Sequence, residues 1–147
     1  MKPSHFFSED QKNLIRQAIA VAELATSGEI CVHIERFCKA DVLDRSAFLF
    51  ERLGIHKTEK RNGVLFYLAI DDHKFAILGD AGINAVTPED FWDNIKETMQ
   101  KEFIEGRFTE GLTGGIQSAG EELKVHFPYE ADDVNELSDD ISFGDQS

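Results

Sequence analysis

The stretch Arg61-Asn62-Gly63-Val64-Leu65-Phe66-Tyr67-Leu68-Ala69-Ile70-Asp71-Asp72-His73-Lys74-Phe75-Ala76-Ile77-Leu78 decides the fold. Residues 64–70 are apolar throughout, as a strand covered on both faces requires; a strand with one wet face alternates apolar and polar side chains. Asn62-Gly63 introduces it through a turn. The short spacing around Asp71-Asp72 suits a tight antiparallel hairpin into Lys74-Phe75-Ala76-Ile77-Leu78, since a parallel return needs a crossover of a dozen or more residues.

Upstream, Glu29-Ile30-Cys31-Val32-His33-Ile34-Glu35 alternates, with Ile30, Val32 and Ile34 on one side, and predicts a first strand. Residues 41–53, stopped by Gly54, read as the helix between the two strands, so helix and strand alternate. Further upstream, Ser8 caps a helix with apolar positions Leu14, Ile15, Ala18, Ile19, Ala22 and Leu24 or Ala25, ending at Ser27-Gly28. Downstream, Thr87-Pro88-Glu89-Asp90 carries a capping Thr, Pro at the first helical position and acidic residues in the first turn. A helix with Phe91, Trp92, Ile95, Met99 and Phe103 is expected from there. A last helix covers about residues 109–124, where Gly111, Gly114, Gly115 and Gly120 lower helix propensity but permit close packing.

The 147 residues, 41% of them hydrophobic, suffice for one core. Fifteen basic against 28 acidic residues leave a net charge of −13, which opposes nucleic acid and anionic membranes as partners. No apolar run reaches the length of a membrane span and no export signal is visible. Cys31 and Cys38 are too sparse for a disulfide framework, so a cytoplasmic location is expected. Residues 128–147 hold seven carboxylates and no Lys or Arg. The expected organisation is therefore a folded domain over residues 1–127 and a loosely ordered acidic tail over 128–147, with Leu137, Ile141 and Phe143 as its candidate anchors.

The five histidines form no ligand motif, and His33 and Cys31 read as structural residues of the first strand. Cys38 reads as a small apolar side chain, or as a thiolate if Arg36 or Lys39 lies beside it. No phosphate-binding loop and no Gly-x-Ser-x-Gly nucleophile motif occurs. Gly79-Asp80-Ala81-Gly82 places a carboxylate between two glycines after a strand, where it reads as a plain turn or as part of a site for a hard cation. With parallel first and second strands, Glu29, Asn62, Asp80 and the helix opening at Pro88 converge on one edge, and Asp93 adds a carboxylate. The opposite edge collects Asp41, Asp44, Asp71 and Asp72, for which helix-cap and hairpin duties account.

Five segments in this order, Gly28-Glu29-Ile30, Leu53-Gly54-Ile55, Arg61-Asn62-Gly63-Val64-Leu65, Gly79-Asp80-Ala81-Gly82-Ile83 and Gly106-Arg107-Phe108-Thr109-Glu110-Gly111-Leu112, resemble the TPM domain family over about residues 7–125. That family is known from thylakoid-lumen, photosystem-repair and receptor-associated proteins. The resemblance implies an α/β/α sandwich with a small mixed β-sheet flanked by helices on both faces. It also implies metal binding, with calcium reported among members and acid phosphatase activity proposed for a plant relative. Asn62, Gly63, Gly79, Asp80 and Gly82 match the family's Asn-Gly entry and glycine-rich loop, and Glu29 its acidic strand start. Many members carry an aromatic residue where this chain has Asp80, and an export signal with an anchor or glycine-rich tail.

The expectation is thus a soluble, monomeric domain that binds a divalent cation, calcium or alternatively magnesium or another such ion. Asp80, Glu29, Asn62 and Asp93 form its metal site. The alternatives are a metal-dependent, acid phosphatase-like hydrolase, or a protein-interaction module stabilised by metal whose acidic surface or tail meets a protein partner. The sequence alone does not decide whether the domain is an enzyme.

Overall fold

The computed structural model describes residues 2–130 and 140–145. After a short helix α1 (Pro3–Phe6), Ser8 and Gln11 exchange hydrogen bonds of 3.1 and 2.8 Å in a capping box that starts α2 (Glu9–Ala25). Ile15, Ile19 and Ala22 form its buried stripe, whereas the expected Leu14 and Leu24 stay exposed. Strand β1 (Glu29–Glu35) leads to α3 (Val42–Arg52), whose N-terminal amides of Leu43 and Asp44 donate to the Asp41 carboxylate. Gly54, with φ of 74°, ends that helix, and a 3-10 turn (Ile55–Lys57) follows.

Strand β2 (Gly63–Ala69) then runs parallel to β1, and β3 (Lys74–Gly79) returns antiparallel beside β2. All seven residues of β2 are buried, as the sequence requires. Val64, Phe66 and Leu68 join Ile30, Val32 and Ile34 beneath α2, α5 (Asp93–Ile104) and α6 (Phe108–His126). Leu65, Tyr67 and Ala69 face Leu49 and Phe50 of α3 on the other side. The architecture is the expected α/β/α sandwich around a mixed sheet, ordered β3-β2-β1-β4 with β4 formed by Ser142–Gly144. In α6, Gly120 lets Ala22 of α2 approach so closely that a Cβ would stand 2.7 Å from the Ala22 Cβ. Among the described residues no helix is long and apolar enough to cross a membrane.

Three elements differ from expectation. Residues 81–84 form one helical turn, α4 (Ala81–Asn84), capped by Asp80. The next helix, α5, begins at Asp93 instead of Pro88 because the Thr87 hydroxyl donates backward to the Ile83 carbonyl at 2.8 Å. Residues 88–93 instead close turns through Phe91 N to Pro88 O and Asp93 N to Asp90 O, which lay Trp92 against Gly79. The third is β4 (Ser142–Gly144), which pairs parallel to the outer edge of β1. Residues 142–144 are therefore a strand of the sheet, and 140, 141 and 145 are held against the domain beside it, rather than forming a loosely ordered tail. Ile141 is buried, Arg16 Nε donates to Asp140 at 2.8 Å, and Ser4 donates to Asp145. Leu137 and four of the seven tail carboxylates, Asp132, Asp133, Glu136 and Asp139, lie outside the described residues.

Gly63 also has a role other than turn formation. A Cβ there would meet Ile55 Cγ2 at 2.6 Å and the Ile55 carbonyl oxygen at 2.8 Å, so β2 can pass beneath the 3-10 turn only as glycine. Gly63→Ala is expected to lower stability by about 1–3 kcal/mol, the usual cost of overpacking, read from the shift of the urea midpoint at constant slope.

Candidate functional site

Parallel β1 and β2 begin at the same edge of the sheet, and antiparallel β3 ends there. Glu29 lies opposite Gly63, and Val64 opposite Gly79. The Glu29 amide donates to the Asn62 carbonyl at 3.2 Å, and the Asp80 amide to the Gly63 carbonyl at 3.0 Å. Three of the four expected site residues thus meet at one edge, and Glu29, Asn62 and Asp80 are all buried. Asp93 stands apart, exposed in the first turn of α5.

The side chains at this edge are already engaged. Asp80 accepts from the Ala81 amide at 2.7 Å and receives both Nε (2.8 Å) and Nη2 (2.9 Å) of Arg61. Arg61 adopts a left-handed φ of 52°, which turns its guanidinium onto the carboxylate. The Asn62 side-chain amide reaches Ser27 Oγ at 3.5 Å, and its backbone amide donates to Thr58 Oγ1 at 3.1 Å. Glu29 and Asp80 belong to positions two strands apart, about 10 Å at ordinary strand spacing. Ile55 fills the gap above Gly63 between them. Among the described residues no three His, Cys, Asp or Glu side chains converge as a ready-made metal shell.

At the other end of β1 the structure assembles a group around His33, which the sequence reads as a structural residue. Cys31, His33 and Glu35 alternate onto the α3 face, and Glu35 is 1% exposed. Arg45 of α3 grips it through Nε (2.9 Å) and Nη2 (2.8 Å), the Tyr67 hydroxyl donates to it, and His33 Nε2 lies 3.3 Å away. Burial pushes the Glu35 pKa upward. The hydrogen bonds from His33, Arg45 and Tyr67 outweigh that effect and bring it down from 4.5 to about 2. Tyr67 is shifted upward by burial first and then by its hydrogen bond to Glu35.

Strand β4 completes this group. Ser142 sits opposite His33, and its Oγ lies 2.8 Å from His33 Nδ1. Gly144 sits opposite Glu35, where a Cβ would come within 3.0 Å of the Glu35 Cβ and 3.3 Å of His33 Nε2. These residues line a cleft of about 610 Å³ together with Arg45, Arg52 and Asp145. The acidic set nearby has other duties: Asp41 caps α3, Asp71 pairs with Arg36, and Asp72 accepts from the Cys38 amide at 2.7 Å. Cys38 itself packs into the α3-side core.

A family model described as the TPM domain matches residues 1–122, more than four-fifths of the chain. The chain belongs to the TPM domain family. The matched stretch runs from α1 into α6, so β4 follows it. The structure is similar to the NMR structure of BA42 protein from the psychrophilic bacterium Bizionia argentinensis sp. nov., at 42% identity and a TM-score of 0.90. That similarity covers 96% of this chain and 97% of BA42. The N-terminal domain of a P. gingivalis protein shares the fold at 18% identity and a TM-score of 0.71, over 86% of this chain and 83% of that one. So does the N-terminal domain of the cg2496 protein from Corynebacterium glutamicum, at 15% identity and a TM-score of 0.63, over 80% and 74%. A comparison with curated proteins found no match.

Within this TPM domain, one sequence signal could have pointed to the second group. His33 and Glu35 share a face of a strand whose neighbour is apolar on both sides, so their polar atoms had to find buried partners. Arg45 and Tyr67 supply them. Because Glu35 is lowered on folding, its contribution is complete above pH 4.5 and is lost as pH falls toward about 2, an effect of about 3 kcal/mol. Glu35→Gln, which leaves Arg45 without its counter-charge, should cost about 3–5 kcal/mol at pH 7. The variant should also flatten the acid limb of a stability profile measured by urea unfolding at each pH.

Proposed function

We propose that this TPM domain binds a divalent cation, calcium or magnesium, at the sheet edge around Asp80, with Arg61 as the resident counter-charge that the metal displaces. The carrying observation is the pairing itself. A carboxylate 5% exposed is neutralised by a guanidinium side chain that is 52% exposed and can swing into solvent. Once Arg61 leaves, hard oxygen donors remain. Asp80 supplies its carboxylate, Asn62 an amide oxygen, and the Lys60 carbonyl crowds the same loop, where a Cβ on Gly82 would stand 2.2 Å from it. Water fills the remaining positions, so affinity in the millimolar range is expected. Glu29 and Asp93 add negative potential, and Ile55 keeps Glu29 from sharing a ligand shell with Asp80.

The phosphatase designation carried by the matching family favours a second reading in which this edge serves hydrolysis. A bound cation would neutralise a phosphoryl oxygen there. Cation-dependent release of phosphate from a simple monoester, lost in Asp80→Asn, is its test.

Trp92, the sole tryptophan, packs against Gly79 one residue from the site and reports on it by fluorescence. Titration with Ca²⁺ and Mg²⁺ should give a saturable change in Trp92 emission and in the amide NMR signals of residues 79–84. Asp80→Asn, which keeps a competent helix cap, should abolish the response, and Arg61→Gln should tighten it several-fold. A flat response in both the wild type and Arg61→Gln at tens of millimolar cation would refute the site.

A further inference from the structure

The cleft at the carboxyl end of β1 carries a chemical order that cation binding does not use. Glu35 is ionised and fully held, so the His33 Nε2 that faces it supplies the hydrogen of that contact. In the tautomer that carries its hydrogen on Nε2, Nδ1 keeps its lone pair. The Ser142 Oγ lies 2.8 Å away, within reach to donate to Nδ1 in that tautomer. Hydroxyl, imidazole and carboxylate stand in the sequence of an activated nucleophile, its base and the group that orients the base. Compared with the serine protease arrangement, the two ring nitrogens have exchanged roles.

Several further observations show that the group is built into the fold. Cross-strand register places Ser142 on His33, and the missing Cβ at Gly144 leaves the room that Glu35 and His33 occupy. The cleft of about 610 Å³ is large enough for a small molecule. Arg52 lines it and makes no ion pair among the described residues, while Asp145 is turned to Ser4. Arg52 is therefore the cation of the cleft that is open to an anionic ligand.

We propose that Ser142 is a nucleophile toward small esters bearing a carboxylate, with His33 as its general base, Glu35 as a positioning residue and Arg52 as the receptor for the anionic end. The Ser142 Oγ forms a bond to the ester carbonyl carbon while its proton passes to His33 Nδ1. The bond from that carbon to the leaving oxygen breaks, and the leaving alkoxide takes the proton from Nδ1. Water then attacks the acyl carbon, gives one proton to Nδ1 and releases Ser142, which recovers that proton. Every atom is accounted for without a cofactor.

A fluorophosphonate probe applied to the full chain, with the modified peptide located by mass spectrometry, tests the nucleophile directly. Labelling at Ser142 is expected, unchanged by a metal chelator and by Asp80→Asn, so its outcome is separate from that of the cation site. Ser142→Ala and His33→Gln should each lose label, and should lower kcat for a p-nitrophenyl ester of a dicarboxylic acid about a hundredfold or more. Arg52→Gln should raise KM with kcat kept. Glu35→Gln, assayed below its unfolding temperature, should lower kcat with KM kept. Absence of label on Ser142 in folded wild-type protein, or ester turnover by folded Ser142→Ala equal to wild type, would overturn the proposal.

Discussion

Strand β2 imposes the constraint on which the rest of the molecule depends. Seven successive buried residues leave no face for water, so a helical layer must lie on each side of the sheet. One layer is thick: α2, α5 and α6 pack over Val64, Phe66 and Leu68, and glycines in α6 allow close approach. The other is thin, with α3 and the 3-10 turn over Leu65, Tyr67 and Ala69. That asymmetry leaves part of the α3 side open, and the polar cleft occupies the opening.

The two ends of the sheet handle buried charge differently. At the Asp80 end, a single exposed arginine supplies the counter-charge, and the pair can open without disturbing the core. At the Glu35 end, donors from β1, β2 and α3 converge on one carboxylate, and β4 closes over it. Opening that group would strand a charge in the interior. One end is thus suited to exchange its partner, whereas the other holds its side chains in fixed geometry.

Most of the fold was legible in the sequence because hydrophobic period and turn chemistry are local. The alternation of residues 29–35, the apolar run of 64–70 and the Ser8 cap each specify an element without help from elsewhere. Thr87-Pro88 misled because the threonine hydroxyl turned back to Ile83, and the turns that follow dock Trp92 on Gly79. β4 was not legible as a strand, since Ser-Phe-Gly is too short to show a period and gains its conformation from β1. At the candidate site, topology correctly brought Glu29, Asn62 and Asp80 to one edge. The claim of Arg61 on Asp80 depends on a backbone angle that no spacing reveals. Ser142 and Arg45 reach His33 and Glu35 only through tertiary pairing, across 109 and 10 positions of sequence.

The pairing of β4 has a further consequence for the solution behaviour of the chain. A strand edge with unpaired amides is a template for other chains, and β1 would present one along the side away from β2. Ser142–Gly144 cover its second half, and the Glu23 carboxylate accepts from the Ile30 amide at 2.9 Å in the first half. Three residues and one side chain thereby blunt a hydrophobic edge against intermolecular sheet growth. Loss of the last residues would expose β1 to aggregation well before it unfolded the core.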